Sequence, residues 1–273
     1  MTISEKFAWQ DQTHAREFDE VSIYPRFLMR KRFESFNEVR LLQAHAARIG
    51  GRSLHEVGCA TGEFGRYAKA CLPQYLYRGF DISRPAIERA VAKYGTDRYQ
   101  IYDGNVASLP PADIVFCRDV VLHQLDPYVF LAALMGIASR ALVLRLRTRD
   151  RGATVLDAES SCQLHYDRHW VPYIVLNTDE LINRISSDRQ VSAIVISRRY
   201  EPLGGYNSRF LPKELYFTEA GSAETAMLVI KQDTPRNGDA SVSFDDRPDG
   251  RPGYSLWDRL VLKAARLRAT RTG

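Results

Sequence analysis

The chain has 273 residues, 45% hydrophobic and 26% charged, a balance that excludes a wholly disordered, fibrous or membrane-embedded protein and suits one large domain with appendages. Its net charge of +5 is confined to the tail: Arg259, Lys263, Arg266, Arg268 and Arg271 are basic, and without them 33 basic residues face 33 acidic ones. A neutral body argues against a nucleic-acid groove, so no nucleic-acid partner is expected.

In chain order, residues 1–50 read as an N-terminal helical cap. Phe27, Phe33, Phe36, Val39, Leu42 and Ala46 recur near helical spacing until Gly50-Gly51. Residues 51–231 then alternate short apolar strands with helices. Strands are predicted at Ser53–Val57, Tyr77–Asp81, Gln100–Asp103, Asp113–Cys117 and Ala141–Leu146. The intervening helices are Glu63–Ala70, Arg84–Lys93 with Ser83 as its cap, and Pro127–Ser139. Such alternation implies right-handed crossovers and a parallel sheet. Beyond residue 150 comes a segment rich in His, Tyr and Trp, then a helix at Asp179–Ile185 capped by Asn177 or Thr178. Val191–Ser197 and Ala226–Lys231 read as an antiparallel strand pair. Residues 232–253 read as a linker and 254–273 as a basic amphipathic helix.

Four cysteines (Cys59, Cys71, Cys117, Cys162) have no C-x-x-C spacing and read as reduced thiols. The polar, acidic opening MTISEKFAWQDQTHAREFDE is not a secretory signal, so a cytoplasmic location is expected. No run approaches the roughly 18 apolar residues of a membrane span.

HEVGCATGEFG, residues 55–65, ends the first predicted strand and opens a helix. Gly58, Gly62 and Gly65 let the backbone turn sharply, and the free N–H groups at the helix start favour a carboxylate or phosphate. The second strand ends at Asp81, nineteen residues past Gly62, where a carboxylate can accept both hydroxyls of a ribose. Glu56 decides between nucleotides. An anion two residues before the first glycine would repel a dinucleotide pyrophosphate but attract the ammonium and sulfonium of S-adenosylmethionine (SAM). Ala60 also stands where G-x-G-x-x-G requires its second glycine.

Together HEVGCATGEFG, GFDIS (79–83), DGN (103–105) and DIVFCRDVVLHQLDP (113–127) resemble the successive motifs of class I SAM-dependent methyltransferases. The resemblance implies a Rossmann-like, doubly wound, seven-stranded α/β sheet, mostly parallel with a reversed C-terminal hairpin. It further implies SAM as cofactor. By position, Glu56, Gly58 and Gly62 would face the methionine moiety and Asp81 the ribose. Ile82 would pack on adenine, Asp103 and Gly104 would lie at its edge, and Cys117 and Arg118 would line the floor. Other readings are a non-catalytic module of the same fold and, against Glu56 and Ala60, a nicotinamide oxidoreductase.

Methyl transfer to a hydroxyl needs a base, and His123, His165 and His169 are the candidates. No spacing of metal ligands is found, so no metal is expected. The Asn/Asp-Pro-Pro-Tyr signature of amino-group methylases is absent from LPPAD (109–113). A small-molecule or glycan acceptor is expected, the glycan through a faint similarity of HYDRHWVPYIVLNTDEL to methyltransferases of bacterial surface polysaccharides. The tail helix would dock on the protein's own sheet, contact a partner protein, or rest peripherally on the inner face of a membrane.

Overall fold

A computed structural model describes residues 24–164, 170–201, 203, 219, 221–246 and 253–272. The strands are β1 (Ser53–Val57), β2 (Leu76–Asp81), β3 (Tyr99–Ile101), β4 (Ala112–Arg118), β5 (Ala138–Arg149), β6 (Cys162–Leu164), β7 (Trp170–Pro172), β8 (Leu176–Asn177), β9 (Val191–Tyr200), β10 (Ser222–Lys231) and β11 (Ser241–Phe244). The main sheet runs β11-β9-β10-β5-β4-β1-β2-β3, with β8 beside β5; β6 and β7 pair separately. Neighbours from β3 to β5 are parallel, and β10 runs antiparallel to both β5 and β9. This is the doubly wound α/β sheet with a reversed strand.

Three details depart from expectation. The sheet has nine strands among the described residues rather than seven, because β8 and β11 join it. β11 lies inside the expected linker 232–253 and pairs in parallel with β9. All four of its residues are exposed, so backbone ladder bonds to an edge strand hold it, and no hydrophobic pattern announces such a strand. The first predicted helix is also divided, into α1 (Arg26–Phe33) and α2 (Asn37–Ile49). At the break, Ser35 Oγ donates to the carbonyl of Arg32 at 2.6 Å, a local bond that competes with the helix.

The remaining helices are α3 (Glu63–Cys71), α4 (Arg84–Tyr94), α5 (Pro127–Ile137), α6 (Thr178–Ser186) and α7 (Leu256–Thr272). Ser83 Oγ caps α4 by accepting from Ala86 N, and Asn177 Oδ1 caps α6 by accepting from Asp179 N and Glu180 N at 3.0 Å. Strand alternation sends Leu54, Ile114, Phe116, Val143 and Leu228 into a core with α1, α2 and α3, while Val57, Val115, Leu144 and Val229 enter a second core with α5 and α6. Leu262 of α7 is buried in the first core, where Tyr254 and Val261 also pack. Lys31 Nζ meets Asp258 Oδ2 at 2.6 Å, so the start of the tail helix is docked rather than tethered. Its outer side leaves Leu256 77%, Trp257 69% and Leu260 53% exposed.

Phe64 of α3 stacks on Phe116 of β4 with centroids 4.1 Å apart and an interplanar angle of 3°. Both rings are fully buried, so this contact seats the helix that follows the glycine loop. Phe64→Ala should cost about 3–5 kcal/mol, read as a lower urea midpoint. An unchanged midpoint would show that the stack does not hold α3.

Candidate functional site at the carboxyl edge of the sheet

The loop after β1 is held by backbone bonds to β2: Gly58 N and Cys59 N both donate to the Phe80 carbonyl, at 2.8 and 3.1 Å. Gly58 and Gly62 take φ of +83° and +81°, and Ala60 is left-handed too at +46°. Ala60 N donates to Asp81 Oδ2 at 2.8 Å, and Ser83 N donates to Oδ1 at 2.9 Å. Asp81 therefore clamps the strained residue of the loop to the end of β2. Burial pushes the Asp81 carboxyl up, against the backbone N–H groups that stabilise its anion.

The glycines also answer to protein packing. A Cβ on Gly58 would lie 2.2 Å from Val120 Cγ2, and one on Gly65 would lie 2.4 Å from the Tyr99 hydroxyl.

Glu56 is 3% exposed, and its Oε2 accepts a short hydrogen bond from the Tyr77 hydroxyl. Burial pushes its pKa up to about 7, against the Tyr77 bond and the nearby Arg118 charge. The expected fixed anion is thus a carboxyl poised near neutrality. Ile82 is half-buried beside Asp81. Asp103 is exposed, and its Oδ1 accepts from Asn105 N at 2.9 Å in a turn where Gly104 has φ of +91°.

Cys117 requires correction. Its side chain is fully buried in the second core with Val57, Val121 and Leu144, not on an open floor. Alternation along β4 turns residue 117 away from the face carrying Arg118, and burial pushes its thiol well up. Arg118 lies on the site face, with its guanidinium 4.7 Å from the Phe36 ring centroid and Nε 2.9 Å from Glu38 Oε1.

A row of charges continues along that face. Arg118 registers with Arg145, Arg147 with Glu224, and Glu224 with Arg199. Asp119, left-handed at φ of +53°, accepts two hydrogen bonds on Oδ2 from Arg145 Nε and Nη2. The charges of Arg145 and Arg147 hold this carboxyl far below the usual range. Sequence reasoning missed Glu38, Tyr77, Asp119, Arg145, Arg147, Arg199 and Glu224. The available signal was the charge pattern V-L-R-L-R (143–147), arginines at every second position of a strand that is otherwise core.

His123 follows β4 in a short 3₁₀ turn, and its Nδ1 lies 2.8 Å from the Pro172 carbonyl. A carbonyl can only accept, so Nδ1 carries the proton and the lone pair of the neutral ring is on Nε2. The ring meets the edge of Tyr173, whose hydroxyl accepts from Arg147 Nε at 3.1 Å. His165 and His169 lie outside the described residues. Among the described residues no group of three or more metal-binding side chains occurs.

Residues 55–140 match the family model described as a methyltransferase domain. Among solved structures, the N-terminal domain of EvdMO1, crystallised in the presence of SAH and D-fucose, aligns at 16% identity over 71% of this chain and 82% of that chain, with a TM-score of 0.51. Residues 961–1257 of StiE, named as an O-MT, align at 11% identity over 86% of this chain and 79% of that one, with a TM-score of 0.50. At these identities the likeness is one of fold. No curated protein matches the chain.

Proposed function

The chain carries a methyltransferase domain over residues 55–140, on the class I SAM-dependent fold, and from that premise we propose that it methylates a hydroxyl of a small-molecule or glycan acceptor. What carries the reading is one arrangement at the carboxyl edge of the sheet. Glu56 and Asp81 flank the glycine loop, while His123, with Nδ1 bound to a carbonyl, stands beyond β4.

The residues fit a molecule with a zwitterionic amino-acid end and a ribose. A buried carboxyl poised near pH 7 suits an ammonium, and the Arg118 guanidinium near it suits a carboxylate. Asp81 retains lone pairs beyond its bonds to Ala60 N and Ser83 N with which to accept from ribose hydroxyls. Gly58 and Gly62 shape the loop that faces the methionine end, and Ile82, Asp103 and Gly104 border the adenine side. SAM, when bound, supplies a methyl group already activated on a sulfonium. The chain's own work is alignment and exclusion of water, worth as much as ~7–11 kcal/mol in well-oriented systems, and removal of one proton. His123 takes that proton from the acceptor hydroxyl at Nε2, with the Pro172 carbonyl fixing the tautomer and the Tyr173 ring the orientation. A pyrophosphate beside Glu56 would meet repulsion, which disfavours the nicotinamide alternative. A non-catalytic module would bind SAM without turnover.

The exposed Leu256, Trp257 and Leu260, next to Arg259 and Lys263 on a docked helix, suit an anionic membrane surface, which would place the enzyme at the inner face of a membrane beside membrane-assembled acceptors. No helix among the described residues is long and apolar enough to cross a membrane.

Three outcomes test this function. A cation binds the Glu56 carboxylate and not the neutral acid, so SAM affinity is full above a pH of about 7 and falls below it, by up to about tenfold per pH unit. Glu56→Gln should flatten that profile in calorimetric titration; an unaltered profile would remove Glu56 from the cation site. His123→Ala should lower kcat by about 10²–10⁴-fold and leave SAM affinity intact, measured with labelled SAM and the acceptor fraction of a cell extract. A full kcat would shift the base elsewhere, and SAM binding without any labelled product would favour the non-catalytic module. Replacing Trp257 and Leu260 by Ser should abolish co-sedimentation with phosphatidylserine vesicles at low salt without unfolding the protein. Failure of the unaltered protein to sediment would remove the membrane contact.

A further inference from the structure

The row of charges that starts at Arg118 extends well beyond the groups offered to the methyl donor. Four arginines (Arg118, Arg145, Arg147, Arg199) interlock with four carboxylates (Glu38, Asp119, Glu201, Glu224). Their side chains are buried or mostly so, with Glu38 1%, Arg147 and Glu224 15%, and Asp119, the most open with Glu201, 31% exposed. The cluster is balanced in charge yet incomplete in hydrogen bonding. Glu38 Oε1, Asp119 Oδ1, Arg118 Nε, Arg147 Nη1 and Arg199 Nε are all buried without a hydrogen-bond partner among the described residues. Arg118 Nε and Glu38 Oε1 lie 2.9 Å from each other and Arg147 Nη1 lies 2.8 Å from Glu224 Oε2, so these three atoms have charge partners, while Asp119 Oδ1 and Arg199 Nε have neither kind of partner among the described residues. A buried polar atom left in that state destabilises the fold unless something completes its bonding. Two on one sheet edge, amid this many charges, mark a place where something else completes the bonding.

The mixture of orphaned atoms selects the chemistry of that partner. Asp119 Oδ1 is an acceptor and Arg199 Nε a donor. A phosphate or carboxylate would satisfy the arginine N–H groups but set its charge against Asp119, Glu38 and Glu224. An ammonium would satisfy the carboxylates and oppose the arginines. A hydroxyl donates one hydrogen bond, accepts others, and leaves the balance of charge unchanged. Several hydroxyls on one rigid ring would serve both kinds of atom at once. Asp119 stands at the margin, its backbone N–H donating to the Arg145 carbonyl at 2.8 Å and its Oδ2 held by the Arg145 guanidinium, so its unfilled Oδ1 is preorganised. Arg147 donates to the Tyr173 hydroxyl, and the Tyr173 ring packs on His123, which joins the cluster to the base.

We infer that this cluster seats the methyl acceptor and that the acceptor is an uncharged polyhydroxylated molecule of the sugar class, recognised by Asp119 and Arg199. The inference rests on the hydroxyl-methylation reading and specifies its acceptor. Arg145 is a positioning residue, acting through Asp119.

The test uses the full chain loaded with S-adenosylhomocysteine and titrated, with saturation-transfer NMR as the readout, against a methyl hexopyranoside, a hexuronic acid, an amino sugar and inorganic phosphate. The neutral sugar should bind at least about tenfold more tightly than any charged probe. Asp119→Asn should weaken it by about tenfold while S-adenosylhomocysteine affinity stays the same. Should Asp119→Asn misfold by circular dichroism, Arg199→Gln carries the same expectation. Tighter binding of phosphate or the sugar acid would make the cluster an anion site and overturn the inference. Equal binding of all probes, or normal cofactor-product binding with no sugar binding, would overturn it too. Failure to bind S-adenosylhomocysteine would instead remove the methyltransferase reading, and this inference with it.

Discussion

Strand register is the constraint on which the site depends. Because side chains alternate with a period of two, Leu54 and Glu56, Phe116 and Arg118, Val143 and Arg145, Ala226 and Glu224, Val195 and Arg199 fall on one face of the sheet. On that face an apolar layer under α1, α2 and α3 gives way, at the carboxyl edge, to a layer of charges. A slip of one residue in β5 would drive Arg145 and Arg147 into the opposite core and lift Leu144 and Leu146 out of it. The hydrophobic layer therefore fixes where the charges stand, and the charges terminate the layer.

That arrangement makes each ionisable group answer to burial and neighbours together. Glu56 and Asp81 both lose water, and both are pushed toward the neutral acid. They differ in what opposes the shift. Asp81 accepts from backbone N–H groups belonging to the loop it braces, so its ionisation and the loop geometry support each other. Glu56 has a phenol as its hydrogen-bond partner and a guanidinium nearby, so it stays poised for a cation. Asp119 experiences the opposite balance, with its arginines outweighing desolvation and keeping it ionised. On one edge, burial thus shifts Glu56 and Asp81 upward while the arginines shift Asp119 downward.

The N-terminal helices complete this edge. Glu38, in the first turn of α2, reaches Arg118 and Arg145, and Phe36 places its ring 4.7 and 5.3 Å from their guanidinium carbons. A cation over an aromatic face in a dry setting gains more than it would in water. The break between α1 and α2 therefore brings both Phe36 and Glu38 to the site.

Much of this was legible along the chain. The strand carrying Glu56, the glycine loop, the helix cap at Ser83 and the carboxylate at Asp81 are local in sequence, and propensity, turn chemistry and spacing act locally. β11 was not legible, because an exposed four-residue strand pairs through its backbone and leaves no periodic signal. Nor was the burial of Cys117, although alternation beside Arg118 implied it. The charged row lay furthest from view. Glu38, Arg118, Arg145, Arg199 and Glu224 come from five elements spread over nearly the whole chain, and only register and packing bring them together. Sequence by itself determined the α/β alternation and the loop chemistry, because those follow from neighbours in the chain. Tertiary structure alone decided which charges share one buried edge and what state each holds, because desolvation and Coulomb interactions depend on distance in space.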